Sequence, residues 1–286
     1  MIGKISLILL FLLLVWGNLV AGLKAGLACP DWPLCHGSVL PPLRWDIYME
    51  FMHRVIGGVA SIFLIILSYQ RVRSYRGGAR AVPILVVLLL LIQIVLGGVV
   101  VLMELPVDLT TYHFANAIVI FSLVLYLVFF DGIENKPGFS IEGYKGLFFL
   151  LGVLVFIQAV MGAYVRHSDS GLACPDFPTC LGYWIPPELS GIILNHFAHR
   201  MIAYLITLIV IVLLVSSYMS RGLRSYRRVL FIALGLIIVQ ILLGVAVVYT
   251  RLNFAAAALH LLVALLILSL VLYTWFLGMT GSFKKV

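Results

Sequence analysis

The chain has 286 residues, 63% of them hydrophobic and 10% charged, with a formal net charge of +8. So apolar a composition excludes an ordinary soluble globular domain and places the chain in a membrane. There the positive charge reports topology, and it gives no reason to expect nucleic acid as a partner.

Apolar runs of about 20 residues read as membrane-spanning helices. Eight occur, at roughly 5–23, 48–69, 82–103, 110–130, 146–165, 192–218, 229–249 and 254–276. The expected fold class is therefore an all-α membrane protein with eight transmembrane helices. Lys4 precedes the first run, as in a signal peptide, but the run is long for one. Gly17 also sits at the repeat position of Gly162 in the fifth span, so the first helix is expected to be retained.

After span 1 comes the loop Gly26-Leu-Ala-Cys-Pro-Asp-Trp-Pro-Leu-Cys35. Span 2 carries Glu50, His53 and Arg54 and is followed by Arg71, Arg73, Arg76 and Arg80. Span 3 holds Gln93-x3-Gly97 and span 4 holds His113; the polar stretch Asp131–Lys145 follows. Span 5 holds Gln158-x3-Gly162 and ends at Arg166, and the next loop is Gly171-Leu-Ala-Cys-Pro-Asp-Phe-Pro-Thr-Cys180. Span 6 carries His196, His199 and Arg200, with Arg221, Arg224, Arg227 and Arg228 after it. Span 7 holds Gln240-x3-Gly244 and is followed by Arg251; span 8 holds His260.

This order is one unit used twice. A long period seen once is a duplicated domain rather than a solenoid, with halves at 1–138 and 139–286. Four spans per half give both the same orientation, so two tandem four-helix bundles related by a pseudo-two-fold along the membrane normal are expected. With Lys4, Lys136, Lys145, Lys284 and Lys285, the arginines after spans 2 and 6 put 13 of 19 basic residues on one side. The positive-inside rule makes that side cytoplasmic, with both termini inside and both cysteine loops outside.

Disulfides are permitted outside. Four cysteines allow three connectivities, and pairing within each loop is simplest because each loop repeats as a unit. Such a pair is either a structural staple or, for Cys29/Cys35, redox-active. The spacing does not suit zinc. The Gln-x3-Gly patterns place a polar and a small residue on one helix face, which close packing with an interhelical hydrogen bond explains.

Ionisable groups within a membrane are costly and usually face the bundle interior with a function. Four histidines at matched depth, from paired helices of two bundles, make two bis-imidazole cages for haem iron. Arg54, Arg166, Arg200 and Arg251 stand where they could meet haem propionates or lipid phosphate. The halves differ at one position: Glu50 lies three residues before His53, where His196 precedes His199. Residues i and i+3 share a face, so one cavity has an acid and the other does not. A di-iron site would need a second Glu-x-x-His and further glutamates, which spans 4 and 8 lack.

Over essentially its whole length, the ordered set of cysteine loops, Glu50-x-x-His53-Arg54, His113, His199-Arg200 and His260 resembles the haem A synthase family. That resemblance implies an oxidoreductase converting the C8 methyl of haem O into the formyl group of haem A, for terminal oxidases of the aa3 type. It implies haem O bound between His53 and His113, Glu50 as the catalytic carboxylate, and a resident haem b on His199 and His260. It implies disulfides Cys29–Cys35 and Cys174–Cys180, the first with a part in haem handling. Implied partners are haem O synthase, terminal oxidase assembly factors and a second copy of the chain, in a cell (inner) membrane.

The competing reading is a di-haem b electron-transfer protein, whose ligand pairs would sit at opposite depths. Here all four histidines sit near one side. A transporter would explain duplication but not matched histidines, and a thiol–quinone oxidoreductase needs closer communicating cysteine pairs.

Overall fold

The computed structural model describes residues 1–131 and 140–280. The expected join at 138/139 and the cations Lys136, Lys284 and Lys285 lie outside the described residues. Among those described, eight helices are long and apolar enough to cross a membrane. They are α1 Ile2–Gly22, α2 Trp45–Ser74, α3 Ala81–Leu102, α4 Val107–Phe129, α5 Tyr144–His167, α6 Gly191–Met219, α7 Arg227–Tyr249 and α8 Phe254–Thr280. The eight expected spans are all present. Helix α2 runs beyond its apolar core at both ends, with Asp46 in the first turn and Arg71 and Arg73 in the last. Those charges suit the helix dipole and extend the helix past the point where hydropathy ends.

The chain divides into two compact units, Met1–Lys136 and Pro137–Val286. In the first, α1 packs on α2 and α4, and α3 packs on the same two. In the second, α5 and α7 each pack on α6 and α8. Each unit is thus a four-helix bundle with sequence neighbours adjacent. Lipid tails are as apolar as leucine, so close approach rather than burial drives such packing. Gly3 lies against Val128, and Gly152 against Leu272, where an added Cβ would be 3.1 and 3.2 Å from a methyl. Outward faces show exposed Ile62 and Ile65 on α2, Leu88, Leu91 and Val95 on α3, and Leu208, Val212 and Val215 on α6. Their three- and four-residue spacing marks a lipid-facing stripe.

Helix hydroxyls bond back to the preceding turn, as Ser122 does to Ile118 O at 2.8 Å and Thr274 to Leu270 O at 2.7 Å. This satisfies them without exposing a donor to hydrocarbon. At one end of the first unit, buried Arg71 ties α2 to α4. Its Nη2 lies 2.9 Å from Asp131 Oδ2, and its Nε donates to Leu127 O at 3.0 Å.

The loops repeat in backbone even where their sequences differ. Lys24 and Asp169 both have φ of 54°. The pairs Glu104/Leu105 and Arg251/Leu252, in the turns before α4 and α8, are also left-handed. Left-handed non-glycine residues cost about 1 kcal/mol or more, so a shared contact must hold them. Leu105 packs against Gly26 and Leu252 against Gly171, where added Cβ atoms would lie 3.3 and 2.8 Å away. Each cysteine loop therefore rests on the turn between the last two helices of its own bundle.

Candidate functional site

His53, His113, His199 and His260 are each set by a glycine on a facing helix. A Cβ on Gly17 would lie 2.9 Å from Cε1 of His53. The distance is 3.1 Å for Gly97 to His113, Gly162 to His199 and Gly244 to His260. The glycines are there because an imidazole occupies the space a side chain would fill. Within each unit the two rings are near enough to interact electrostatically, His53 with His113 and His199 with His260.

The Gln-x3-Gly patterns carry more than packing. Gln93 Nε2 lies 3.2 Å from His113 Nε2, Gln158 Nε2 3.4 Å from His199 Nε2, and Gln240 Nε2 3.2 Å from His260 Nε2. The interhelical hydrogen bond expected from sequence is present, and its partner is the histidine in all three cases. Asn116 Nδ2 donates to Leu89 O at 3.0 Å and to Gln93 Oε1 at 2.8 Å. That fixes the Gln93 amide, so its N–H donates and His113 Nε2 accepts. This is the tautomer whose Nε2 lone pair a metal can take in exchange for the amide. On α1, Leu13 stands four residues before Gly17, so His53 has no such glutamine. The signal in the sequence was the spacing shared by glutamine, glycine and histidine, which only helix packing converts into a contact.

Glu50 is 6% exposed. Its Oε1 accepts from Arg54 Nε at 3.1 Å, one helical turn along. Arg54 Nη1 donates to Asp31 O at 2.7 Å and Leu34 O at 2.6 Å, and Nη2 to Cys29 O at 2.8 Å. In the second unit Arg200 Nη1 donates to Asp176 O at 2.6 Å and Thr179 O at 2.7 Å, and Nη2 to Cys174 O at 2.6 Å. Both arginines thus hold their cysteine loops. Three carbonyl acceptors on the loop meet the two terminal nitrogens of each. His196, at the place of Glu50, is 5% exposed and turns Nδ1 toward Ser170 O at 3.0 Å. It props the loop, so among the described residues no buried acid stands beside His199 and His260. Arg166 is half-buried at the end of α5, and Arg251 is exposed in the turn before α8.

Both disulfides form within their loops, Cys29–Cys35 and Cys174–Cys180. All four cysteines are buried, which favours the staple over the redox role. The loop aspartates carry a function that sequence reading missed, although the Cys-Pro-Asp repeat signalled it. Asp31 accepts from His36 N at 2.6 Å and Gly37 N at 2.7 Å. Asp176 accepts from Leu181 N at 2.6 Å and Gly182 N at 2.9 Å, and from the Thr179 hydroxyl. Those donors hold the Asp176 carboxyl down at about 2, the Thr179 hydroxyl foremost. Backbone N–H groups, first that of Gly37, likewise hold Asp31 below the ordinary carboxylate range. Residues 36, 37, 181 and 182 are all left-handed, so the carboxylate stabilises a turn that would otherwise be strained. His36 Nε2 lies 2.9 Å from Ala28 O, a contact within the same loop.

Whether an iron porphyrin suits these residues is decided by the ring nitrogens. Nδ1 of all four histidines is buried with no hydrogen-bond partner. Nε2 is the atom that would coordinate, and in His113, His199 and His260 its partner is a glutamine amide that a metal can displace. Paired imidazoles in bundles, cradled by glycine, are the donor set such a group takes.

The Cytochrome oxidase assembly protein family (COX15-CtaA) matches residues 2–272. The chain is 32% identical over 284 residues to "Heme A synthase" of Halalkalibacterium halodurans, covering 95% of this chain and 94% of that one. It is 30% identical over 274 residues to "Heme A synthase" of Bacillus licheniformis, covering 91% and 89%. A relative of the same name from Geobacillus thermodenitrificans is 32% identical over 261 residues, covering 86% and 81%.

Proposed function

This chain belongs to the COX15-CtaA family of cytochrome oxidase assembly proteins, and from that premise we propose that it is a membrane oxidoreductase that makes haem A from haem O. The reaction converts the C8 methyl of the porphyrin into a formyl group, a four-electron oxidation that takes its oxygen atom from outside the porphyrin and passes its electrons to an acceptor outside the chain. The carrying observation is Glu50: of two matched imidazole pairs, one alone has a buried carboxylate beside it among the described residues.

In this reading His53 and His113 hold haem O, and the first unit, 1–138 by sequence, is the catalytic half. Glu50 Oε1 is engaged by Arg54, while Oε2 makes no bond among the described residues. That second oxygen is the one available to act as a general base toward water or to stabilise positive charge developing at the reacting methyl carbon. Arg54, anchored by loop carbonyls, keeps the carboxylate aimed and the loop closed above it. The second unit, 139–286, holds haem b through His199 and His260. When bound, that haem supplies an iron centre that can accept electrons. Gln158 and Gln240 hold the two Nε2 atoms that the iron would take in their place, and His196 braces the loop without adding a charge.

The excess of basic residues after α2 and α6 places those ends in the cytoplasm. Both termini then lie inside, and the cysteine loops and all four histidines lie toward the extracytoplasmic face. A di-haem electron carrier would have no use for an acid at one site only.

Co-expression with a haem O source, followed by pigment extraction, tests the assignment. Haem A in the extract is the expected result. Haem b alone, at two per chain and with haem O unconverted, would remove the synthase reading.

A further inference from the structure

Away from the cysteine loops, at the opposite end of the second unit, the repeat breaks down. The first unit closes its corresponding end with the Arg71–Asp131 ion pair between α2 and α4. At the equivalent places the second unit has Ser217 on α6 and Gly278 on α8, so it lacks both the cation and the anion. A cavity of about 1340 Å³ opens there instead, among α5, the turn between α6 and α7, and the end of α8.

Its charge is one-sided. Lys145, Arg221, Arg224, Arg227 and Arg228 line it, and no aspartate or glutamate does among the described residues. Arg227 is held in place: its guanidinium stacks 3.9 Å over the Tyr218 ring, and Nη2 donates to Ser217 O at 2.7 Å. Its Nε is buried with no partner. Arg221, Arg224 and Arg228 are exposed and make no ion pair among the described residues. On the lipid side, exposed Phe231 and Ile232 of α7 continue the wall as apolar surface.

We propose that this cavity is a binding site for the phosphate group of an anionic phospholipid. Guanidinium groups bind phosphate through paired, charge-assisted hydrogen bonds. A ring of them with no internal carboxylate leaves the ligand to supply the counter-charge. The apolar wall along Phe231 and Ile232 assigns the phosphate to a lipid headgroup rather than to free phosphate. Interfacial arginines in general reach for lipid phosphates. The site differs in being a defined cavity, present where the repeat has lost its own ion pair. This assignment is independent of the haem chemistry.

The test uses the purified full-length protein in zwitterionic detergent. Short-chain phosphatidylglycerol, short-chain phosphatidylcholine and inorganic phosphate are each titrated while the thermal unfolding midpoint is followed. Phosphatidylglycerol should raise the midpoint saturably, and the other two should not. Gly278→Asp restores a carboxylate beside Lys145, where a Cβ has 3.4 Å of clearance. That variant and Arg224→Gln should each require about tenfold more lipid for the same effect. Arg76→Gln, in the first unit, should behave as the unaltered chain. Equal responses to phosphatidylcholine, or unchanged titrations in both second-unit variants with intact helical circular dichroism, would overturn the proposal. Inorganic phosphate matching phosphatidylglycerol would overturn the lipid headgroup and leave a small-anion site.

Discussion

Gly162 on α5 and His199 on α6 meet so closely that a single methyl on the glycine would lie 3.1 Å from the imidazole Cε1. The same relationship recurs at Gly17, Gly97 and Gly244 with the other three histidines.

Replacing Gly162 or Gly244 by alanine should therefore displace a ring and weaken haem b retention. Overpacking of this kind costs about 1–3 kcal/mol, or roughly tenfold or more in occupancy. Gly58→Ala and Gly235→Ala, with nothing within 4 Å, are the controls. They should be neutral or stabilising by up to about 1 kcal/mol, since alanine favours helix over glycine. Haem content per chain decides it; equal content in all four variants would show that the glycines do not set the rings.

His199→Ala and His260→Ala should each remove the low-spin haem b spectrum, because each would delete one of the two imidazoles proposed to hold that iron. An unchanged spectrum in either purified variant would show that the ligands lie elsewhere.

Glu50→Gln keeps the shape of the side chain and its bond to Arg54 but not its charge or basicity. Haem b should stay bound, while conversion of haem O falls by about 100-fold or more, the usual loss when a general base is removed. Ordinary haem A yields from this variant or from Glu50→Ala would end the catalytic role.

Lysine cannot reproduce a guanidinium that reaches three carbonyls at once. Arg200→Lys should loosen the 171–180 loop by about 1.5–3 kcal/mol, the range for hydrogen bonds to a charged group. Faster amide exchange at Leu181 and Gly182, and easier reduction of Cys174–Cys180, are the expected readouts. Identical exchange rates would show that the loop holds without the clamp.

Asp176, held down at about 2 by its donors, gives the same loop a pH dependence. A carboxyl depressed in the folded state stabilises above the ordinary carboxylate pKa of about 4, and that contribution disappears as pH falls toward 2. Exchange protection of the loop should be flat from neutral pH to about 5 and decline below 4. Asp176→Asn should show the weaker protection at every pH. A decline already present near pH 6 would assign the titration to another group.

The eight spans and their order were legible because hydropathy and helix length are properties of the chain taken segment by segment. The matched histidines were legible because duplication repeats them in register. Leu13, standing where Gln93, Gln158 and Gln240 have counterparts, could be seen in the sequence but not interpreted. Its meaning depends on which helix faces which. Arg54 shows the same boundary: its partners Cys29, Asp31 and Leu34 precede it by 25, 23 and 20 residues, beyond any helical periodicity.

By itself the sequence determined what each half carries: two cysteine loops, two pairs of imidazoles, and one acid on one side only. Tertiary structure decided what those groups touch. It turned Arg54 and Arg200 inward to the loops and gave three histidines a glutamine. It also left a basic cavity where Ser217 and Gly278 replace an ion pair. The reason is physical: composition sets which segments enter a membrane, whereas hydrogen bonds and close contacts depend on distances between helices, and those exist only once the bundles have packed.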